Sequence, residues 1–114
     1  MASSEQRNTP RFPLSVFVNQ EFGDEDQRLG MSTDLSLQGM SLVTLAREEP
    51  APSKHAWVRF WLPGSEVLIH ALAEIMRHNS DEEVDRFGIR FKYLFPDQRE
   101  LLAGYLAAEP VPAI

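Results

Sequence analysis

Short segments in which every second residue is apolar recur along this sequence, separated by residues that favour turns. The clearest segment covers residues 57–62, which alternates and then meets Pro63-Gly64. The next covers residues 67–76, with apolar side chains on one face. Because successive side chains of a β-strand point to opposite faces, a period of two indicates half-buried strands. Several such strands with turn residues between them are typical of an all-β domain.

Six segments of this kind predict six strands, at residues 12–19, 28–36, 40–45, 57–62, 67–76 and 87–94. The spacing then changes to the helical period, with an apolar stripe made by Leu101, Leu102, Tyr105 and Leu106. Pro96 suits the first turn of this helix. The sequence therefore predicts an all-β fold with one helix, a six-stranded antiparallel β-barrel with a C-terminal α-helix near residues 96–107 packed against it. We expect Trp57 and Trp61, which share one strand face, to pack in the barrel.

The 114 residues suit one domain. Residues 1–10 are polar and without periodicity, which predicts a flexible N-terminal arm before a barrel domain at 11–108 and a tail at 109–114. No apolar segment is long enough to cross a membrane, so we expect a cytoplasmic protein with no membrane insertion. A net charge of −6 argues against a DNA or RNA polymer as partner. A small anionic ligand stays possible, because a few local arginines can outweigh a distant acidic average.

The first polar motif is Arg7-Asn8-Thr9-Pro10-Arg11, an R-x-x-x-R spacing just before the first predicted strand. Pro10 and Pro13 disfavour a helix there, so the two arginines lie on a flexible segment from which they can converge on one ligand. A guanidinium group pairs with phosphate or a guanine edge, and its flat face stacks on a base. Taken alone, the pair is more typical of two solvated arginines.

The second polar motif covers residues 34–39 and has the pattern D-x-S-x-x-G. In an extended strand Asp34 and Ser36 would point the same way, and Leu35 and Leu37 would point into the barrel. A carboxylate beside a hydroxyl suits a guanine edge, which offers N–H donors beside acceptors. Gly39 permits either a positive φ or a close approach of the backbone where the chain bends. Alone, this motif also fits an ordinary turn.

In this order and at this separation, the two motifs resemble those of the PilZ domain family. Gly88-Ile89-Arg90-Phe91 and the terminal helix also resemble the last strand and closing helix of that family. The resemblance covers roughly residues 5–107. It implies a stand-alone receptor for the bacterial second messenger cyclic di-GMP, with ligand-binding residues Arg7, Arg11, Asp34, Ser36 and Gly39. Arg77, at the end of the fifth predicted strand, is a further candidate for the pocket, with a solvated arginine as the alternative.

The resemblance implies that Arg7 and Arg11 contact the phosphates and the guanine faces or Hoogsteen edges. It also implies that Asp34 and Ser36 hydrogen-bond a guanine base. It implies a non-catalytic adaptor without a cofactor, which relays nucleotide levels to an unidentified protein effector in motility, pili, exopolysaccharide or virulence control. The alternative is a nucleotide-independent protein-interaction module on the same fold. An enzyme finds no support, because the chain has no cysteine, Ser36 has no nearby histidine, and the three histidines lack a metal-ligand spacing.

Overall fold

The computed structural model describes residues 11–23 and 26–108, which form seven strands and one helix. The strands are β1 (Phe12–Pro13), β2 (Phe17–Glu21), β3 (Gln27–Leu35), β4 (Gly39–Leu45), β5 (His55–Trp61), β6 (Leu68–Ser80) and β7 (Val84–Leu94). Helix α1 (Pro96–Ala108) follows β7 directly. Among the described residues, no helix is both long enough and apolar enough to cross a membrane.

Strands β2 to β7 close a six-stranded antiparallel barrel. They pair in the order β3-β2-β5-β6-β7-β4, and β4 pairs again with β3. The two-residue β1 lies outside this ring and pairs with the end of β3. Helix α1 packs against the core through the buried side chains of Leu102 and Leu106. The predicted fold, a six-stranded barrel with a C-terminal helix, is confirmed.

The first predicted strand, residues 12–19, is interrupted after β1. Pro13 has no N–H and cannot continue a ladder of hydrogen bonds. The buried hydroxyl of Ser32 bridges the gap, since its Oγ accepts a bond from the Val16 N–H (2.9 Å) and donates to the Leu14 carbonyl. The Ser32 N–H also donates to the Val16 carbonyl at 2.9 Å, so the side chain adds to backbone bonds that continue across the break.

The alternation along β5 decides which side chains enter the core. Ala56, Val58 and Phe60 are buried, so the residues between them face outward. Trp57 and Trp61 are consequently exposed, and the expectation that they pack inside the barrel is wrong.

Candidate functional site

Asp34 reaches the outer surface of the barrel through a β-bulge in β3. Residues 32 and 34 face consecutive residues of β4, so Thr33 is the extra residue. Ser32 before the bulge and Leu35 after it are both buried, which shows that the inward phase of the strand changes there. Without the bulge Asp34 would point inward with Ser32. The bulge thus exposes a carboxylate that a regular strand would bury.

Arg11 and Asp34 form an ion pair on this surface. Arg11 Nη1 lies 2.7 Å from Asp34 Oδ1, and the Ser41 N–H donates to the same oxygen at 3.0 Å. Half of the arginine side chain and 29% of the aspartate side chain are exposed to solvent. The second arginine of the R-x-x-x-R motif is therefore already in contact with the first residue of the D-x-S-x-x-G motif. A base that binds Asp34 Oδ1 has to compete with this guanidinium.

The sequence predicted that Ser36 shares a strand face with Asp34, and this is wrong because β3 ends at Leu35. The serine lies in the turn that follows and is 1% exposed. Its Oγ accepts bonds from the N–H groups of Gln38 (3.1 Å) and Gly39 (3.2 Å) and donates to the Gly39 carbonyl (3.2 Å). The hydroxyl is thus occupied in holding the turn, an ordinary use of serine at such positions.

Gly39 allows a close approach between strands, not an unusual backbone conformation. Among the described residues only Gly23 and Gly64 have a positive φ. A Cβ at position 39 would fall well inside contact distance of the Ile89 carbonyl oxygen and 3.0 Å from the Arg90 Cα. Of the two roles that the sequence left open for this glycine, the structure selects the close approach of backbone to backbone.

A cleft of about 390 Å³ lies beside the turn and is lined by the start of β4, by residues 76–77 of β6 and by residues 88–90 of β7. Its walls carry three guanidinium groups, from Arg11, Arg77 and Arg90, together with the turn residues Ser36 and Gly39. The lining of this cleft therefore contains arginines and no acidic residue, although the whole chain has a net charge of −6. Arg7, the first arginine of its motif, lies outside the described residues.

The family model described as "PilZ domain" matches residues 5–108. The chain belongs to the PilZ domain family. No curated protein sequence matches the chain.

Solved PilZ structures share the fold at low sequence identity. The PilZ domain of YcgR from Escherichia coli with c-di-GMP is 17% identical, with a TM-score of 0.68 over 90% of each chain. The PilZ domain of CeSA from a cellulose-synthesizing bacterium is 19% identical, with a TM-score of 0.61 over 85% of this chain and 98% of that one. The Bacillus subtilis inhibitor of motility MotI/DgrA is 17% identical, with a TM-score of 0.73 over 89% of this chain. The chain spans about half (49%) of the length of MotI.

In this PilZ domain, Arg90 of the family-like last strand faces a carboxylate of β6. Arg90 and Glu74 are direct cross-strand partners, and Arg90 Nη2 lies 2.8 Å from Glu74 Oε1. The hydrogen bond from Arg90, with a smaller contribution from the charge of Lys92, lowers the pKa of the Glu74 carboxyl. Arg90 could not be assigned to the site from the sequence, because residues 88–91 alone do not show which strand lies beside them.

A serine, a histidine and an aspartate meet at the β6–β7 hairpin of this PilZ domain. Ser80 Oγ lies 3.2 Å from His78 Nε2, and Asp85 Oδ1 lies 3.5 Å from the same nitrogen. In a catalytic Ser-His-Asp triad the serine bonds one ring nitrogen of the histidine and the aspartate bonds the other. Here both groups approach Nε2, so this cluster does not have that geometry. No group of three or more metal-binding side chains occurs among residues 11–23 and 26–108.

Proposed function

We propose that this PilZ domain is a receptor for cyclic di-GMP, with Arg7, Arg11, Asp34, Ser36 and Gly39 as its ligand-binding residues. The observation that carries the proposal is the arginine-lined cleft beside the exposed carboxylate of Asp34. Cyclic di-GMP combines two phosphates with two guanine bases, so it needs cationic groups and a hydrogen-bond acceptor in one place. The c-di-GMP complex of the YcgR PilZ domain, which shares this fold, supports the same ligand here.

The motif residues have different roles in this proposal. The Asp34 carboxylate accepts bonds from the N–H donors of a guanine, and the guanidinium groups of Arg7 and Arg11 bind phosphates and stack on base faces. Ser36 and Gly39 act mainly by shaping the turn beside the cleft, since the serine hydroxyl is already bonded within that turn. When the base takes the carboxylate, Arg11 is released from Asp34 and becomes available to the ligand.

The protein is expected to bind cyclic di-GMP without hydrolysing it. Calorimetric titration of the purified chain should give a saturable binding isotherm, and the nucleotide recovered after prolonged incubation should be intact. Absence of saturation up to millimolar nucleotide would contradict the binding. Linear dinucleotide in the recovered sample would instead contradict the assignment as a non-catalytic receptor.

An exposed apolar row beside the site supports a protein partner. Phe17, Met31 and Val43 are successive cross-strand neighbours on β2, β3 and β4, and Trp61 lines a shallow cleft with Phe17. Phe17 is 67% and Trp61 57% exposed. Contiguous exposed apolar side chains of this kind mark interaction surfaces. Met31 and Val43 lie only two or three residues along their strands from Asp34 and Ser41, so a docked protein would lie beside bound nucleotide.

The proposed receptor acts in the cytoplasm, where it passes the nucleotide signal to an effector protein. Motility, pili, exopolysaccharide and virulence are the processes proposed for that effector, and the similar structure of an inhibitor of motility is compatible with the first. The apolar row equally favours the second candidate function, a nucleotide-independent interaction module on the PilZ fold. The calorimetric titration separates the two, because only the receptor binds the nucleotide.

Binding is expected to slow amide hydrogen exchange across residues 3–13. A nucleotide that contacts Arg7, Arg11 and Asp34 together restrains the segment against the barrel. Fixing a residue costs about 1–2 kcal/mol of backbone entropy, which charge-assisted contacts to two phosphates offset. Exchange is compared with and without saturating cyclic di-GMP, with residues 69–73 of β6 as the unchanged reference. Equal exchange of residues 3–13 in both states would rule out this coupling.

A further inference from the structure

Arg77 is turned out of the barrel by a second bulge. Ile75 pairs with Ile89 and Arg77 pairs with Gly88, so Met76 is the extra residue of β6. The buried residues of the preceding part of β6 have odd numbers, and a regular strand would therefore point residue 77 inward. The bulge makes both residues 76 and 77 exposed. Arg77 thus reaches the outer surface in the same way as Asp34.

The two outward-turned residues lie on one line across the barrel. Asp34 pairs with Ser41, Ser41 with Gly88, and Gly88 with Arg77. Neighbouring strands are about 4.8 Å apart, so a group above Gly88 lies about 10 Å from the β3 backbone at Asp34. That separation suits two different parts of one nucleotide better than two edges of one base.

The Arg77 guanidinium occupies the space that a side chain at position 88 would take. A Cβ on Gly88 would lie 3.0 Å from Arg77 Nε and 3.1 Å from Nη2. Arg11, Arg86 and Arg90 each have a carboxylate partner, whereas Arg77 has no ion pair or hydrogen bond within the described part of the chain. Its donors are therefore free to bind a ligand in the cleft that it lines.

We propose that Arg77, laid across Gly88, binds a phosphate of the dinucleotide whose guanine is bound by Asp34. A phosphate is the expected contact because Arg77 adds a third, unpaired guanidinium to a cleft that already holds Arg11 and Arg90. Gly88 is the positioning residue, since its missing side chain lets the guanidinium lie flat on β7. This inference rests on the proposed cyclic di-GMP receptor function. It adds to that site a phosphate-binding residue on β6, on the far side of the cleft from Asp34.

The experiment measures cyclic di-GMP affinity at low and high salt for the wild type, Arg77→Ala, Gly88→Ala and the double variant. Arg77→Ala is expected to lose roughly 10- to 100-fold in affinity, the usual range for a charged hydrogen bond. Its remaining binding should depend less on salt, because one charge pair with the ligand is gone. Gly88→Ala keeps the charge but displaces the guanidinium, and it should lose about tenfold.

The double variant tests whether Gly88 acts through Arg77. It should bind as Arg77→Ala does, because the displaced group is no longer present. Gly88→Ala should keep its melting temperature, since only a flexible side chain has to move. Arg99→Ala, which removes an exposed arginine from α1, is the charge control and should bind as the wild type does.

Four outcomes would overturn the inference. Three of them would contradict the role of Arg77 and leave the receptor function intact: wild-type affinity in Arg77→Ala, an unchanged salt dependence of that variant, or a further loss of affinity when Gly88→Ala is added to it. Failure of the wild type to bind cyclic di-GMP at all would remove both the receptor function and this assignment.

Discussion

Asp34→Asn is expected to lower the affinity for cyclic di-GMP roughly 10- to 100-fold. The ratio of the affinities for cyclic di-GMP and cyclic di-AMP should also become smaller. Asparagine keeps an oxygen for the Ser41 N–H, which now bonds Asp34 Oδ1 at 3.0 Å, so the local fold should persist. It loses the negative charge and replaces one acceptor by a donor, so it no longer matches the two N–H donors of a guanine. Competition titration with both nucleotides measures the change in preference.

Arg11→Ala provides the contrast to this variant. Its loss of affinity should be of similar size, but it should apply to both nucleotides, because the phosphates are common to them. Glu100→Gln, on the exposed side of α1, removes one negative charge outside the lining of the cleft and serves as the control. If Asp34→Asn keeps the full preference for guanine, the carboxylate does not recognise the base and its assigned role is wrong.

Gly39→Ala is expected to destabilise the fold by about 3 kcal/mol, at the upper end of what an overpacked site typically costs. The new methyl group would collide with the Ile89 carbonyl and lie 3.0 Å from the Arg90 Cα. Both contacts are backbone atoms of β7, which cannot move without opening the β4–β7 ladder. Thermal unfolding should show a midpoint lower by roughly 10–20 °C for a domain of this size.

Gly104→Ala is the matched control for this substitution. Gly104 is exposed in α1, and a Cβ there meets nothing within 4 Å. The same change of residue should therefore stabilise the protein by about 0.5–1 kcal/mol, the usual gain in a helix. Equal melting temperatures for Gly39→Ala and the wild type would show that β4 and β7 do not need the close approach that the structure assigns to Gly39.

The sequence alone was sufficient to predict the succession of barrel strands along the chain, the closing helix and the family. Alternation within residues 57–62 or a helical stripe after Pro96 depends only on residues that are neighbours in the chain. The two motifs are also local patterns, so the sequence alone is enough to propose Arg11 and Asp34 as site residues. The ion pair that joins these two residues agrees with the inference that both belong to one site.

Tertiary structure decided which way the important side chains point. A bulge is a mismatch between two paired strands, so neither Thr33 nor Met76 can be recognised as an extra residue from its own strand. Each bulge reverses the facing of the residues after it, and in this way Asp34 and Arg77 come to the surface on one cross-strand line. The contact that makes Gly39 necessary comes from the backbone of β7, which is far away in the sequence. Local patterns determine which elements form, whereas register between distant strands determines what each side chain meets.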